Sequence, residues 1–285
     1  MKKRIVFFGT PMFAIYSLKL LCDEADIVGI VSVERSDVYT WAKINNLNYV
    51  DWYDPDLLRK LKDLQADLFV VVAFKILPEE IYNMPRYGSI NLHPSLLPRY
   101  RGPAPINWAI INGESKTGIS VIKLTDKIDS GLILKQKEIP IMPRETAKTL
   151  HDNLMKIGGI MLCDVVKNIE KIKGREQEGE VTKAPKLTRE NRKIDWNKTV
   201  EDIERQVRGL YSSPSAWTEI DEEEVKILEA CPTNIPSDTP GKILIKDKNK
   251  LLIGTSDYYL EIWKLQLLGK KPITGLDYIN GYIKK

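Results

Sequence analysis

The sequence predicts an α/β protein with a parallel sheet covered by helices on both faces, followed by a small β-barrel. Three observations predict it. Apolar strand-like runs alternate with helical patterns in the N-terminal part, a polar Lys/Glu/Gly-rich stretch follows from residue 171, and five short strand-like runs come after one further helix. A chain of 285 residues accommodates two modest domains at roughly 100–200 residues each. We therefore predict a first domain over residues 1–182, a linker over 183–199 and a second domain over 200–285.

The first strand is expected at Arg4–Phe8 and ends in the turn Gly9-Thr10-Pro11. Pro11 suits the first turn of a helix, where its missing N–H would have no partner anyway. Gly9 fits either a tight strand-to-helix turn or a ligand-binding turn, and the sequence leaves both open.

The same alternation continues along the N-terminal part. Further strands are expected at Ile27–Val33, Leu68–Ala73 and Gly88–Leu92, and helices open at Asp54-Pro55 and Pro78. Because such alternation implies right-handed crossovers, it predicts a parallel sheet whose ligands lie beyond the C-terminal strand ends.

The residue composition changes at the start of the C-terminal part. Lys171–Lys186 is typical of a linker or an exposed hairpin, and a helix is expected at Val200–Leu210 with Thr199 as its cap. Five short strands complete the part: Ala216–Ile220, Glu224–Ala230, Lys242–Ile245, Leu251–Ile253 and Tyr259–Leu267. This pattern favours a small barrel of the oligonucleotide-binding type.

Composition excludes several classes. With 43% hydrophobic and 29% charged residues the chain is not a disordered one, and it has no run of about 18 apolar residues that would span a membrane. The N-terminal apolar stretch is too short for a signal peptide. Three cysteines at long spacings argue against a disulfide framework and for a reducing cytoplasm. The first turn is not GxGxxG, which argues against a dinucleotide enzyme.

The densest chemical segment runs from Gly88 to Pro105. Asn91 and His93 stand two apart on a predicted strand, so their side chains share one face. An amide beside an imidazole can stabilise a developing oxyanion, although His93 could equally be an ordinary structural histidine. The chain has only one other histidine, His151, and no CxxC or HxxxH pair, which argues against a structural zinc site.

Two carboxylates, Asp126 and Asp129, follow the next predicted strand. A carboxylate beside His93 would orient the imidazole and favour its charged form. Aspartate is also a common turn residue, and we interpret Asp126 in that way. Spacing alone does not place Asp129 next to His93.

The segment Asn91-Leu-His-Pro-Ser-Leu-Leu-Pro-Arg-Tyr-Arg-Gly102 resembles the signature of the 10-formyltetrahydrofolate-dependent formyltransferases, and Asp129-Ser-Gly131 resembles their second signature. The resemblance implies a Rossmann-like first domain, an OB-like second domain and a catalytic trio of Asn91, His93 and Asp129. It also implies a folate site. The expected folate contacts are the turn Ser95, Leu96, Leu97 and Pro98 together with Phe74, Ile76 and Leu77.

Subfamily motifs point to an acceptor. Phe8–Ala14, Ala184-Pro-Lys-Leu-Thr188 and Gly269-Lys-Lys271 are similar to members that formylate the α-amino group of methionyl-tRNA. The resemblance implies initiator tRNA as partner, and we expect acceptor contacts from Gly9, Thr10, Pro11, Arg99, Arg101, Lys270 and Lys271. We further expect a cytoplasmic monomer that uses no metal and binds no membrane.

One departure keeps other acceptors open. The tRNA enzymes carry a long basic loop after the second strand, whereas Val33 is followed here only by Glu34–Trp41 and then a helix-like Ala42–Asn46. Sugar-nucleotide amine formyltransferases also lack that loop, so an amino sugar is the alternative acceptor. Hydrolysis of the formyl donor and a catalytically dead RNA-binding module are further alternatives.

Charge bears on the acceptor as well. The net charge is +4, and residues 241–285 hold nine lysines against four acidic residues. Such lysines could contact phosphates without reading sequence, or they could form an ordinary solvated surface. The nine are Lys242, Lys246, Lys248, Lys250, Lys264, Lys270, Lys271, Lys284 and Lys285.

Overall fold

The computed structural model describes residues 2–211 and 214–283, and the chain divides into two compact units. The first unit contains the chain up to Pro105 together with Lys116–Pro140 and His151–Ala184. The second contains Ile106–Ser115, Ile141–Leu150 and the chain from Pro185 onward. Lys284 and Lys285, which contribute to the C-terminal charge, lie outside the described residues.

A seven-stranded sheet forms the centre of the first unit. Its strands are β1 (Arg4–Gly9), β2 (Asp26–Ser32), β3 (Tyr49–Asp51), β4 (Leu68–Val72), β5 (Ser89–His93), β6 (Lys116–Lys123) and β7 (Ile133–Pro140). Their spatial order is β3-β2-β1-β4-β5-β6-β7. The first five strands pair in parallel, whereas β6 and β7 are antiparallel additions. The predicted parallel class is confirmed, with two antiparallel strands that the alternation did not indicate.

Helices follow most strands of this part of the chain, and the first four of them connect the parallel strands. In chain order up to residue 168 they are α1 (Met12–Glu24), α2 (Asp37–Ile44), α3 (Leu57–Asp63), α4 (Glu79–Tyr82), α5 (Pro105–Ile111) and α6 (Ala147–Asn168). The spacing that predicts α1 buries Phe13, Leu18 and Leu21. All five residues of β4 are buried, as expected for a central strand with helices on both faces.

The connection between β2 and α2 is shorter than the sequence suggested. The predicted loop Glu34–Trp41 is wrong in its second half, because α2 begins at Asp37 and only residues 33–36 lie between the two elements. Ser36 is the reason, since its side chain accepts a hydrogen bond from the backbone N–H of Tyr39 at 3.0 Å. This is an ordinary N-cap, which starts a helix immediately after the serine.

The second unit is built on an antiparallel sheet. Its elements after residue 185 are α7 (Arg189–Arg192), α8 (Val200–Gly209), β8 (Ala216–Ile220), β9 (Glu223–Pro236), β10 (Ile243–Lys246), β11 (Lys250–Gly254), β12 (Tyr258–Leu267), β13 (Ile273–Thr274) and α9 (Gly275–Tyr278), followed by one π-helical turn (Ile279–Ile283). The strand order is β10-β11-β12-β9-β8, with β13 pairing β12. All five predicted strands are present, and the two-residue β13 is the addition. Thr199 caps α8 by accepting a hydrogen bond from the N–H of Asp202, as predicted.

The polar stretch from Lys171 to Lys186 is not a hairpin. It has no regular secondary structure, and isolated bridges join Arg175 to Ile133 and Lys183 to Arg101. Its backbone therefore pairs with the first unit as far as Ala184. Among the described helices, none is both long enough and apolar enough to cross a membrane.

Candidate active site

The candidate site lies in the first unit, at the C-terminal ends of neighbouring strands. Strands β1, β4 and β5 are adjacent and parallel, so their C-terminal ends meet at one edge of the sheet. Asn91 and His93 occupy alternate positions of β5, with His93 as its last residue. The imidazole of His93 is buried and the Asn91 side chain is partly exposed. Strand periodicity therefore places the amide and the imidazole on the same face.

Two oxygen atoms flank the His93 ring. Nε2 lies 2.9 Å from the backbone carbonyl oxygen of Tyr100, and because a carbonyl only accepts, Nε2–H is the donor. Nδ1 lies 3.6 Å from Oδ2 of Asp129, an ion-pair distance that is too long for a hydrogen bond. The imidazolium is the form that presents an N–H to both oxygens.

Asp129 is brought to His93 by an unusual turn. Its backbone adopts φ +51°, a left-handed conformation that few residues other than glycine adopt. Its Oδ2 accepts a hydrogen bond from the N–H of Gly102 at 2.9 Å. The structure therefore brings Asp129 and His93 together, which spacing could not establish. Asp126, interpreted as a turn residue, is exposed.

The side-chain amide of Asn91 has no hydrogen-bond partner within residues 2–211 and 214–283. An amide that is partly exposed and unpaired beside a buried imidazole can donate to an oxygen atom of a bound molecule. Among the same described residues no group of three or more histidine, cysteine or acidic side chains could hold a metal ion.

The turn that follows β5 is held from two sides. The Ser95 hydroxyl donates to the carbonyl of Arg99 at 2.7 Å, and the Ser120 hydroxyl donates to the carbonyl of Ser95 at 2.7 Å. The Gln136 amide donates to the Leu97 carbonyl at 3.0 Å and to Ser120 Oγ at 2.9 Å. The Leu97–Pro98 peptide bond is cis.

Sequence reasoning missed Ser120 and Gln136. The signal for Ser120 was available, because a fully buried serine within an apolar strand needs a hydrogen-bond partner. Gln136 carries no such signal, since it lies in the polar middle of its strand, between Lys135 and Lys137.

The expected folate residues differ in exposure. Leu77, Leu97 and Pro98 are buried, whereas Ser95 presents its backbone to Ser120 and Leu96 is partly exposed. Beyond β4, the Phe74 ring packs edge-on against Phe8 and Trp52, with centroids 5.7 and 5.2 Å apart. The side chain of Ile76 is 73% exposed, so it is the apolar group of this loop that is available for a ligand.

The turn after β1 is tightly packed. A Cβ atom at Gly9 would lie 2.7 Å from the Cβ of Ala14, so helix packing accounts for this glycine. Thr10 and Pro11 lead into α1, whose first N–H, that of Met12, donates to Oδ2 of Asp37 at 2.8 Å. The N-terminus of α1 is therefore occupied by a carboxylate from α2.

The four basic residues expected at the acceptor lie in both units. In the first unit Arg99 is exposed and stacks over Tyr100, while the Arg101 guanidinium donates to Oε1 of Gln177 at 2.6 and 3.2 Å. Lys270 and Lys271 are exposed in the turn between β12 and β13 of the second unit.

The chain belongs to the formyl transferase family. The family profile, described as formyl transferase, matches residues 17–166, and the profile of the formyl transferase C-terminal domain matches residues 186–283. The strand-end site on an α/β sheet and the separate antiparallel unit agree with these two matches.

Among the curated relatives, methionyl-tRNA formyltransferases are similar over nearly the whole chain. The enzyme of Flavobacterium johnsoniae is 38% identical over 98% of this chain and 96% of its own length. That of Thermodesulfovibrio yellowstonii is 36% identical over 99% of this chain and 96% of its own length. The first alignment extends over 303 positions, more than the 285 residues of this chain, so that relative has segments that this chain lacks.

Solved structures share the fold at lower identity. HypX from Aquifex aeolicus, solved with tetrahydrofolic acid, matches with a TM-score of 0.68 and 21% identity, over 100% of this chain and 48% of its own. WlaRD, a sugar 3N-formyl transferase solved with dTDP and 5-N-formyl-THF, matches with a TM-score of 0.69 and 20% identity over 95% of this chain and 100% of its own.

Proposed function

We propose that this protein transfers the formyl group of 10-formyltetrahydrofolate to the free α-amino group of methionyl-tRNA. The observation that carries the proposal is the similarity to methionyl-tRNA formyltransferases, at 36–38% identity across both domains. The site geometry supports the chemistry, because an amide, an imidazole and a carboxylate meet at the C-terminal edge of the sheet.

Oxyanion stabilisation is the proposed task of Asn91 and His93. Attack of the neutral amine on the formyl carbon converts the formyl oxygen into an oxyanion. The unpaired amide of Asn91 and the Nδ1–H of the imidazolium are the donors for that oxygen, because Nε2–H already donates to the Tyr100 carbonyl and Nδ1 lies too far from Asp129 for a hydrogen bond. A well-placed donor contributes about 3–4 kcal/mol to such a transition state.

Asp129 faces the Nδ1 side of His93 and takes part in proton transfer. As the new C–N bond forms, the amine loses a proton, and the leaving N10 nitrogen gains one as its bond to carbon breaks. The Asp129 carboxylate lies 3.6 Å from His93 Nδ1, which leaves it able to accept the amine proton and return it, directly or through water.

The proposed donor site is the Ser95–Pro98 turn with the loop after β4. The hydrogen bonds from Ser120 and Gln136 fix the turn backbone, and the exposed Ile76 side chain supplies an apolar surface for the flat pterin ring. Both lie at the strand ends where α/β sheets bind ligands.

A second acceptor class has one specific observation in its favour. Only residues 33–36 connect β2 to α2, so the loop that carries basic residues in tRNA enzymes is not built here. An amino-sugar nucleotide would need no such loop. The sugar formyltransferase structure is only 20% identical, and we therefore rank this acceptor second.

The deciding experiment offers three acceptors to the purified protein. With 10-formyltetrahydrofolate as donor, we expect formylation of methionyl initiator tRNA, no formylation of a panel of amino-sugar nucleotides, and negligible release of formate in water alone. Formylation of a sugar but not of methionyl-tRNA would show that the proposed acceptor is wrong and that the proposed formyl transfer is right.

The trio is tested by single substitutions. Asn91→Ala, His93→Ala and Asp129→Ala should each lower kcat by about 10²–10⁴-fold, the range measured for lost oxyanion donors and general acid–base groups. His151→Ala and Asp126→Ala are matched controls, because each removes the same residue type outside the site, and they should keep wild-type kcat. Activity close to wild type in His93→Ala would refute the assignment.

A further inference from the structure

The segment from Arg175 to Ala184, here called the strap, contacts the backbones of both residues that flank His93. Tyr100 supplies the carbonyl oxygen at Nε2, and Asp129 supplies the carboxylate at Nδ1. Neither group belongs to a regular helix or strand. The backbone of each of the two residues is hydrogen-bonded by a different side chain of the strap, at the Asp129 carbonyl and at the Tyr100 N–H.

Gln177 binds the Asp129 turn. Its Nε2 donates to the carbonyl of Asp129 at 2.8 Å and to the carbonyl of Gly131 at 2.9 Å, which uses both amide hydrogens. Its Oε1 accepts from Nε and Nη2 of Arg101. The orientation of the amide is thus fixed, because only the NH₂ group can face two carbonyls.

Thr182 binds the Tyr100 turn. Its Oγ1 accepts a hydrogen bond from the Tyr100 N–H at 2.9 Å, and its carbonyl accepts from the Arg101 N–H at 2.9 Å. The strap approaches so closely that a Cβ atom at Gly102, whose φ is +125°, would lie 2.5 Å from the carbonyl oxygen of Ala184. The N–H of this glycine donates to Oδ2 of Asp129.

Both flanking residues have strained backbones. Tyr100 has φ +62° and Asp129 has φ +51°, and such conformations persist only where surrounding contacts enforce them. The hydrogen bonds from the strap are contacts of this kind. Loss of either hydrogen bond would allow Asp129 or Tyr100 to leave its left-handed backbone conformation next to the imidazole.

We propose that Gln177 and Thr182 are positioning residues for His93, Gln177 through Asp129 and Thr182 through the Tyr100 carbonyl. This inference rests on the proposed formyl transfer. It predicts an effect on the chemical step and not on binding of the formyl donor, because neither side chain lies in the proposed donor turn.

The test uses two nearly isosteric variants of the full-length protein. Gln177→Glu keeps an oxygen for Arg101 but replaces both donated hydrogens with a carboxylate oxygen that repels the two carbonyls. Thr182→Val keeps the volume and removes the acceptor for Tyr100. Because misplacement by about 1 Å can cost about 10²-fold, we expect kcat to fall about 10–100-fold while the KM for the formyl donor stays within about twofold. Thr182→Ser retains the hydroxyl and should restore kcat.

Gln136→Glu is the matched comparison. Like Gln177, Gln136 accepts a hydrogen bond from an arginine, Arg175, and donates one to a backbone carbonyl. That carbonyl belongs to Leu97, in the proposed donor turn. The same substitution there should act mainly through the KM for 10-formyltetrahydrofolate, because Gln136 holds the proposed donor turn. If Gln177→Glu does not fold, the kcat values of Thr182→Val and Thr182→Ser test the proposal.

A spectroscopic readout separates positioning from general destabilisation. The sequence has two histidines, so a His151→Ala background leaves His93 as the only imidazole signal in the NMR spectrum. We expect that signal to shift in Gln177→Glu and Thr182→Val, and to stay in place in Thr182→Ser. Folded variants with unchanged kcat and an unchanged His93 signal would overturn the inference, whereas a wild-type protein without formyl transfer would overturn the proposed function instead.

Discussion

Glu170 is a half-exposed carboxylate with two partners at the end of α6. It forms an ion pair with Lys3 and accepts a hydrogen bond from the Tyr87 hydroxyl at 2.5 Å. The hydrogen bond from Lys3, followed by that from Tyr87, lowers the pKa of Glu170 from 4.5 to about 2. Lys3 immediately precedes β1, so this carboxylate ties the start of the sheet to α6.

The lowered pKa predicts a pH-dependent contribution to stability. A carboxyl group whose pKa is lower in the folded state stabilises the fold above its unfolded pKa, and this stabilisation is lost as the pH falls through the folded pKa. Glu170→Gln should therefore lower Tm by no more than a few degrees at pH 7, since exposed pairs contribute little. The Tm difference from wild type should shrink between pH 4.5 and about 2.

Thermal unfolding followed by circular dichroism across this range measures the effect, with the exposed Glu80→Gln as control. A Tm difference that stays constant from neutral pH down to about 2 would contradict the role given to Glu170.

At the scale of residues, strand periodicity was enough to place Asn91 beside His93. It could not place Asp129, because that contact depends on a left-handed turn that no spacing encodes. Gln177 and Thr182 were hidden for a different reason. They lie in a polar segment without regular structure, where sequence patterns distinguish poorly between a linker and a chain held by hydrogen bonds.

A residue of helix α2 caps the N-terminus of α1. The residue before α1 is Pro11, which provides no side-chain cap, and the Asp37 carboxylate fills that role from the first turn of α2. The Val38 N–H also donates to the Thr10 carbonyl at 3.2 Å. The short β2–α2 connection is therefore part of how the first helix is stabilised.

The capping of α1 by Asp37 predicts a measurable loss of stability when this carboxylate is removed. Asp37→Ala should lower the free energy of unfolding by about 1 kcal/mol, the usual cost of a lost N-cap, and Asp37→Asn should recover part of it because an oxygen acceptor remains. Urea denaturation measures both. Asp56 precedes α3 without making a side-chain cap, so Asp56→Ala is the control and should cost less. Equal losses in Asp37→Ala and Asp56→Ala would argue against the cap.

At the scale of elements, long apolar runs and capping signals were sufficient for most strands and for α1, α3, α4 and α8, whereas α5 and α6 were not predicted. The direction of β6 was not predictable, because the chain between β5 and β6 passes through α5, and Ile106–Ser115 of this connection belong to the second unit. A strand reached in this way is not bound by the crossover rule for consecutive βαβ strands. Strands β3 and β13, with three and two residues, are too short to show a period.

At the scale of the whole molecule, the second unit presents a turn with two lysines that we propose as a tRNA contact. Lys270 and Lys271 project from an ordered turn in which Gly269 has φ +71° and the Gln266 amide donates to the Lys270 carbonyl at 2.7 Å. A fixed turn with two exposed lysines is suited to phosphate contacts, which contribute affinity without sequence specificity.

The double substitution Lys270→Glu with Lys271→Glu should raise the KM for methionyl-tRNA and leave the KM for the formyl donor unchanged. Each lost phosphate contact should reduce the salt slope of tRNA binding by about one unit. Lys19→Glu with Lys62→Glu makes the same charge change on helices of the first unit and serves as control. Identical tRNA kinetics in the two double variants would exclude this turn from the interface.

The position of the strap has a consequence for the order in which the protein is made. Asn91, His93 and Asp129 all leave the ribosome before Gln177 and Thr182, and the family profile of the first domain already ends at residue 166. A nascent chain of that length contains every signature residue but neither side chain that binds the Tyr100 and Asp129 turns. The proposed positioning of His93 is therefore completed only late in synthesis, when the segment just before the second domain has emerged.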